Sequence, residues 1–255
     1  MIIEYHRPNS LTDALALLDR NQPVTVPLGG GTFLNRPSSQ HIAVVDLQAL
    51  GLGRIERQGN MVRLGATATL QSLVDSTELP LALIGAAEQE LPFNLRQVAT
   101  VAGTLVASDG MSPLTCAMLA LDVQLKTLFP ARPDQPEFIS LGDFLPVRSI
   151  QHRFILEAAF YSQVRLTYEK ISRTPADKPI LCLCAARWPS GRTRITVGGF
   201  GASALLAMDG PESSGAEMAV RNVLSQAGDE WATAAYRQET GAELVNRALT
   251  HLSES

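Results

Sequence analysis

The residues best suited to chemistry are glycines. Gly29-Gly30-Gly31-Thr32 follows the short apolar run Val24–Leu28. Consecutive glycines after a strand let the backbone turn tightly and aim several N–H groups at one point, which is how an uncharged loop holds a phosphate oxygen. Two nucleotide motifs do not fit. A P-loop needs Gly-Lys-Ser/Thr, and no lysine precedes Lys126; a dinucleotide fingerprint needs Gly-x-Gly-x-x-Gly at the opening of a helix. Taken alone, the glycines read more readily as a structural turn than as a ligand loop. A second run of small residues and hydroxyls, Thr100-Val101-Ala102-Gly103-Thr104, reads as another tight turn where backbone can approach a ligand. Together the two loops could grip a pyrophosphate from both sides.

Other reactive side chains are sparse. Cys116, Cys182 and Cys184 are an odd number for a disulfide framework and fall short of the four thiolates that an iron–sulfur cluster usually takes. Cys182 and Cys184 lie two apart in an apolar run, where a strand points both sulfurs to one face, as small core residues or as half of a metal site. His6, His41, His152 and His251 lack the spacing of metal ligands. Ser108-Asp109 and Ser112 have neither a nearby histidine nor a nucleophile elbow, which argues against a hydrolase.

The elements that must position these loops follow from local signals. Ser10-Leu11-Thr12-Asp13 has the form of a capping box opening a helix that ends near Arg20. Val24–Leu28 and Ile42–Asp46 read as strands on either side of the glycine loop, and Ile55–Gly65 as a hairpin turning near Gly59-Asn60. Helices are expected over Thr69–Val74, Leu81–Glu90 and Ser112–Leu121, leading into a strand at Asp122–Leu128. Pro130, Pro133, Pro136 and Pro146 mark 130–150 as the candidate domain boundary. Phe154–Tyr168, Ile180–Trp188 and Arg194–Met208 read as strands, and Ala216–Gln226 and Trp231–Leu252 as helices.

Composition narrows the partners. With 255 residues, 45% hydrophobic and 18% charged, the chain can fill two cores. A net charge of −4 without basic runs, and 5% aromatic residues, argue against nucleic acid. No apolar run approaches the roughly 20 residues of a bilayer span, and Met1-Ile2-Ile3-Glu4-Tyr5 lacks the features of a signal peptide, so a cytoplasmic location is expected.

The order of Gly29-Gly30-Gly31-Thr32, Ile42–Asp46, Leu64-Gly65-Ala66-Thr67 and Leu95–Gly103 resembles the FAD-binding (medium) subunit of molybdenum hydroxylases, the flavoprotein family of carbon monoxide dehydrogenase and xanthine dehydrogenase. The likeness continues through Leu119–Val123, Tyr168–Arg173 and Gly198-Gly199-Phe200-Gly201, and so spans nearly the whole chain. It implies an α+β fold: a two-part, PCMH-like FAD-binding domain over 1–145 (subdomains about 1–52 and 53–145), then a smaller α+β domain over 150–255 with a short antiparallel sheet and helices. Carried over, Leu28, Gly29, Gly30, Gly31, Thr32 and Phe33 would hold the FAD pyrophosphate. Thr100, Val101, Ala102, Gly103 and Thr104 would close over the ADP half, and Lys170 and Arg173 would lie near the flavin edge. Four positions depart from the family's pattern. Ala102-Gly103-Thr104 replaces Gly-Gly-Asn, Gln97 replaces an asparagine, and Pro113 stands where an acid is common, with Asp109 as a substitute.

The resemblance further implies an electron-transfer subunit. It would pass electrons from partner [2Fe–2S] clusters through FAD to NAD, a quinone or oxygen, beside a molybdenum-cofactor large subunit and an iron–sulfur small subunit. Two alternatives stand beside it: a relative that has lost FAD and serves as a scaffold, and a stand-alone flavin reductase.

Overall fold

In the computed structural model, which describes residues 1–35 and 39–254, the chain builds three sheets in succession. The first comprises β1 (Ile2–His6), α1 (Leu11–Leu18), β2 (Thr25–Leu28) and β3 (Ile42–Asp46), with parallel strands in the order β1-β3-β2. Ser10 caps α1, its hydroxyl accepting from the Asp13 amide at 3.1 Å. In the central strand Ala43, Val44 and Val45 are all buried, the unbroken apolar run of a parallel strand covered on both faces.

The second unit opens with the expected hairpin, β4 (Ile55–Gln58) and β5 (Met61–Gly65), followed by α2 (Leu70–Val74), α3 (Leu81–Glu90) and α4 (Phe93–Arg96). Next come α5 (Val101–Ala107), α6 (Pro113–Ala120), β6 (Gln124–Phe129), β7 (Arg132–Ser140), α7 (Leu141–Val147) and β8 (Phe154–Tyr161). Its antiparallel sheet has the order β4-β5-β8-β6-β7. The proline-rich stretch expected as a domain boundary carries β7 and α7. Pro133 and Pro136 lie on the edge strand β7, where the register slips between Thr127 and Phe129 of its neighbour and no ladder partner needs their missing N–H. Thr100–Thr104 is not a tight turn either: it is the cap and first turn of α5, with the Thr100 hydroxyl accepting from Gly103 N at 3.2 Å.

The stretch Phe154–Tyr168 is broken at Ser162–Val164, so that β8 completes the second sheet and β9 (Arg165–Ile171) starts the third. The third sheet adds β10 (Leu181–Arg187), β11 (Thr193–Gly198) and β12 (Leu205–Gly210) as an antiparallel meander, followed by α8 (Ala216–Val223) and α9 (Ala234–Glu254). The expected strand Arg194–Met208 is thus two strands, turned at Gly199 and Gly201, whose φ values of +102° and +71° suit glycine.

Strand β10 joins the two larger cores by alternation. Cys182, Cys184 and Ala186 pack into the core of the second unit, while Leu181, Leu183 and Ala185 pack against α8 and α9. The cysteines serve as small buried residues on one face. Every residue of α6 is buried, because this helix lies between the second core and β10 and β11. A third, smaller cluster, including Leu15, Val45, Leu128 and Phe154, ties the parallel unit to the second sheet.

Candidate cofactor-binding site

Gly30 packs directly against the segment that leads into α5. A Cβ at Gly30 would lie 1.6 Å from the Val98 carbonyl oxygen, and one at Gly29 would lie 2.5 Å from the Thr100 hydroxyl. The glycine loop and the α5 entry therefore form one seam, and a cavity opens on each side of it.

The first cavity, about 350 Å³, lies between the parallel unit and the second sheet. Gly29 to Leu34 line it, with Thr100, Ala102 and Gly103 opposite and Phe144, Phe154 and Ile155 as apolar wall. The second, about 440 Å³, is lined by Gly29, Gln48, Gly51, Gly53, Arg54, Thr67, Thr69, Gln97, Val98 and Thr100. Both volumes are of the size that holds a small ligand, roughly 300–1,000 Å³.

The two loops differ in what their backbones offer. The amides of Gly29, Gly30, Gly31 and Thr32 form no hydrogen bond among the described residues, and Gly31 is left-handed at φ +69°. Successive open amides are the donor set from which anion-binding concavities are built. At α5 the donors are already engaged: Val101 N donates to Ala68 O, Ala102 N to Ala66 O, Gly103 N to the Thr100 hydroxyl and Thr104 N to Thr100 O. Thr100, Ala102 and Gly103 reach the cavity as surface and side chain, not as phosphate-binding amides. Val101 is buried in the core, and Leu28, Val101 and Thr104 line neither cavity.

The structure carries three expected site residues elsewhere. Asp109 is exposed, and its carboxylate accepts from the Met111 amide at 2.9 Å. Lys170, on β9, donates to the Gln89 side chain on α3, and Arg173 stacks over the Trp231 ring at 4.8 Å. None of the three lines either cavity. Pro113 occupies the first position of α6 behind the Ser112 cap, where a missing N–H costs nothing.

The cations that do face the first cavity, Arg148 and Arg153 with His152 beside them, lie at and just beyond the end of the proline-rich stretch 130–150. Arg153 is paired with Glu137 at 2.8 Å and stacks on Phe129 at 4.4 Å. Arg148 donates to the carbonyls of Leu105 at 3.0 Å and Ala202 at 3.2 Å, and to the carbonyl and hydroxyl of Ser108. Burial pulls its pKa down, opposed by the charge of Asp109. No Asp or Glu lines either cavity among the described residues.

Residues 1–158 match the FAD binding domain in molybdopterin dehydrogenase. The chain belongs to this family. FAD is accordingly its cofactor, and the residues present fit it: open glycine amides and the guanidinium groups of Arg148 and Arg153, on a cavity lined by no Asp or Glu among the described residues, suit the phosphates, and the wall of Phe144, Phe154 and Ile155 suits an aromatic ring. The uncharacterized protein YgfM of Escherichia coli is 28% identical over 254 residues, covering 96% of this chain and 94% of its own. A chain of the reconstituted CO dehydrogenase from Oligotropha carboxidovorans is similar with a TM-score of 0.81 at 20% identity, covering 97% of this chain and 96% of that one. One of quinoline 2-oxidoreductase from Pseudomonas putida 86 gives 0.76 at 16%, covering 97% and 95%. At such identities these structures establish a common fold.

Proposed function

We propose that the chain is the flavin-bearing, electron-transfer subunit of a molybdenum hydroxylase-type dehydrogenase. It would take electrons from partner [2Fe–2S] clusters and deliver them to NAD, a quinone or oxygen. The observation that carries this is the seam between Gly29–Gly30 and Val98–Thr100, with open amides on one strand-end loop and, among the described residues, arginines but no carboxylate on the cavity wall. When bound, FAD supplies the ability to accept two electrons and release them singly or as a pair. The chain's own residues hold and shield it: Gly29, Gly30, Gly31 and Thr32 by their amides, Phe33, Thr100, Ala102 and Gly103 by contact.

The partners follow from the same donor set. Three buried thiols sit in the core, short of the four a cluster usually takes, which supports iron–sulfur groups carried by other chains. CO dehydrogenase and quinoline 2-oxidoreductase, the enzymes whose chains share this fold, support a molybdenum-cofactor large subunit and an iron–sulfur small subunit as those partners. No described helix is long and apolar enough to cross a membrane, and we place the complex in the cytoplasm. The test is metal analysis of the full chain purified with its natural partners under native conditions. Molybdenum and iron are expected to co-purify in fixed ratio to flavin; a flavin-containing chain that carries neither, and oxidises NADH by itself, points to the reductase.

A second reading has one observation in its favour. The amides of Val101 to Thr104 are closed by internal hydrogen bonds, and Ala102 puts a methyl on the cavity wall. A relative that has given up FAD for a scaffolding role fits that detail, and a folded protein that refuses added FAD would establish it.

A further inference from the structure

We propose that Arg148 meets the negative charge of the bound dinucleotide, and that three hydroxyls leading to the buried carboxylate of Glu90 hold it there. The inference rests on the FAD reading above. Arg148 faces the first cavity together with the open amides of the glycine loop. Unlike Arg153, it has no carboxylate within ion-pair distance among the described residues, its partners being carbonyls and one hydroxyl. A half-buried guanidinium with no carboxylate in direct contact, and only the more distant charge of Asp109 to balance it, is costly, and an anionic ligand in the cavity would offset that cost.

Behind Arg148 runs a connected chain. Its Nη1 donates to Ser108 Oγ at 3.2 Å. Ser108 Oγ and Thr115 Oγ1 are 3.0 Å apart, Thr115 Oγ1 and Ser112 Oγ 2.8 Å, and Ser112 Oγ and Glu90 Oε2 2.7 Å. One proton per hydroxyl gives an ordering in which every link is made: Ser108 donates to Thr115, Thr115 to Ser112, and Ser112 to Glu90. Glu90, Ser112 and Thr115 are buried, so the chain has no water to fall back on and is polarised from the cation to the carboxylate. Arg148 is thus the contact residue; Ser108, Thr115, Ser112 and Glu90 position it.

The ligand's charge could lie on its phosphates or on the reduced flavin ring, and the experiment separates them. Full-length protein and the variants Arg148→Met, Arg148→Lys, Ser108→Ala and Ser108→Thr are titrated with FAD and with riboflavin, which lacks phosphate, by flavin fluorescence. Arg148→Met is expected to weaken FAD about tenfold and riboflavin hardly at all, with Arg148→Lys intermediate. Ser108→Ala should weaken FAD about threefold, and Ser108→Thr should restore it. If the charge is that of the reduced ring, FAD affinity stays and the midpoint potential of the bound flavin falls in Arg148→Met. Equal weakening of FAD and riboflavin would make Arg148 a mere clamp and overturn the proposal, as would no change in affinity or potential. Should Arg148→Met not fold, the wild-type salt dependence decides: FAD affinity falls with ionic strength and riboflavin affinity does not, and a flat FAD response contradicts the proposal. A wild-type chain that takes up no FAD fails differently, overturning the FAD reading itself and this inference with it.

Discussion

Gly30 shows how one missing carbon sets the geometry of the site. A methyl there would meet the backbone carbonyl of Val98 at 1.6 Å, and a backbone atom cannot swing aside as a side-chain tip can. Gly30→Ala must therefore push the glycine loop away from the α5 entry and splay the two cavities apart. We expect FAD affinity to fall at least about tenfold, or ~1.4 kcal/mol, read by fluorescence titration of folded protein; unchanged affinity would show that the seam is not part of the binding surface. The glycine run was legible as a candidate ligand loop because conformational freedom is a local property. Its need to touch Val98 was not, since that contact joins residues far apart in sequence.

At the scale of elements, glycine inside a helix has two opposite meanings here. At Gly85 in α3 an added Cβ would make only ordinary contact, 3.9 Å from Tyr168 Cδ1, whereas at Gly241 in α9 that Cβ would meet Leu224 Cδ1 at 2.4 Å. Gly85→Ala should stabilise the protein by about 0.5–1 kcal/mol through helix propensity. Gly241→Ala should destabilise it by about 1–3 kcal/mol through overpacking. Chemical denaturation measures both; equal shifts of the same sign would contradict the packing described. Capped elements were readable from sequence, since Ser10, Thr69 and Ser112 each bond a backbone amide three residues on. The helix α5 was hidden because its cap, Thr100, is followed by Gly103, a poor helix former. Arg148 and Arg153 were missed for a different reason. Four prolines nearby suggested a domain boundary, and only the pairing of β8 between β5 and β6 brings that stretch to the cavity.

Across the whole molecule, the units are held together by charge as well as by β10 and α6. Asp122, left-handed at φ +54°, follows α6 and receives Arg192 at 2.9 Å and Arg194 at 3.0 Å from the third sheet. Asp209 shares both arginines, and they hold its carboxyl below its usual range. Asp122→Asn keeps a residue that tolerates this backbone and removes only the charge. Because Asp209 remains as partner, the expected loss is about 1–2 kcal/mol, less than the roughly 3–5 kcal/mol of breaking an isolated buried pair. Urea midpoints at neutral pH check it, and no change would mean the clasp is slack. The share contributed by Asp209 is fully present above the ordinary value of 3.8 and is lost as pH falls through its lowered folded value.

The central claim is that this fold still holds its flavin despite Ala102, Thr104 and Pro113. The most direct measurement is an absorbance spectrum of the purified full chain from about 300 to 600 nm, before and after incubation with FAD and desalting. Flavin bands retained at one equivalent per chain are the expected result, because the open amides of Gly29 to Thr32 and the cationic wall remain intact. A folded protein that emerges colourless after reconstitution would contradict the account.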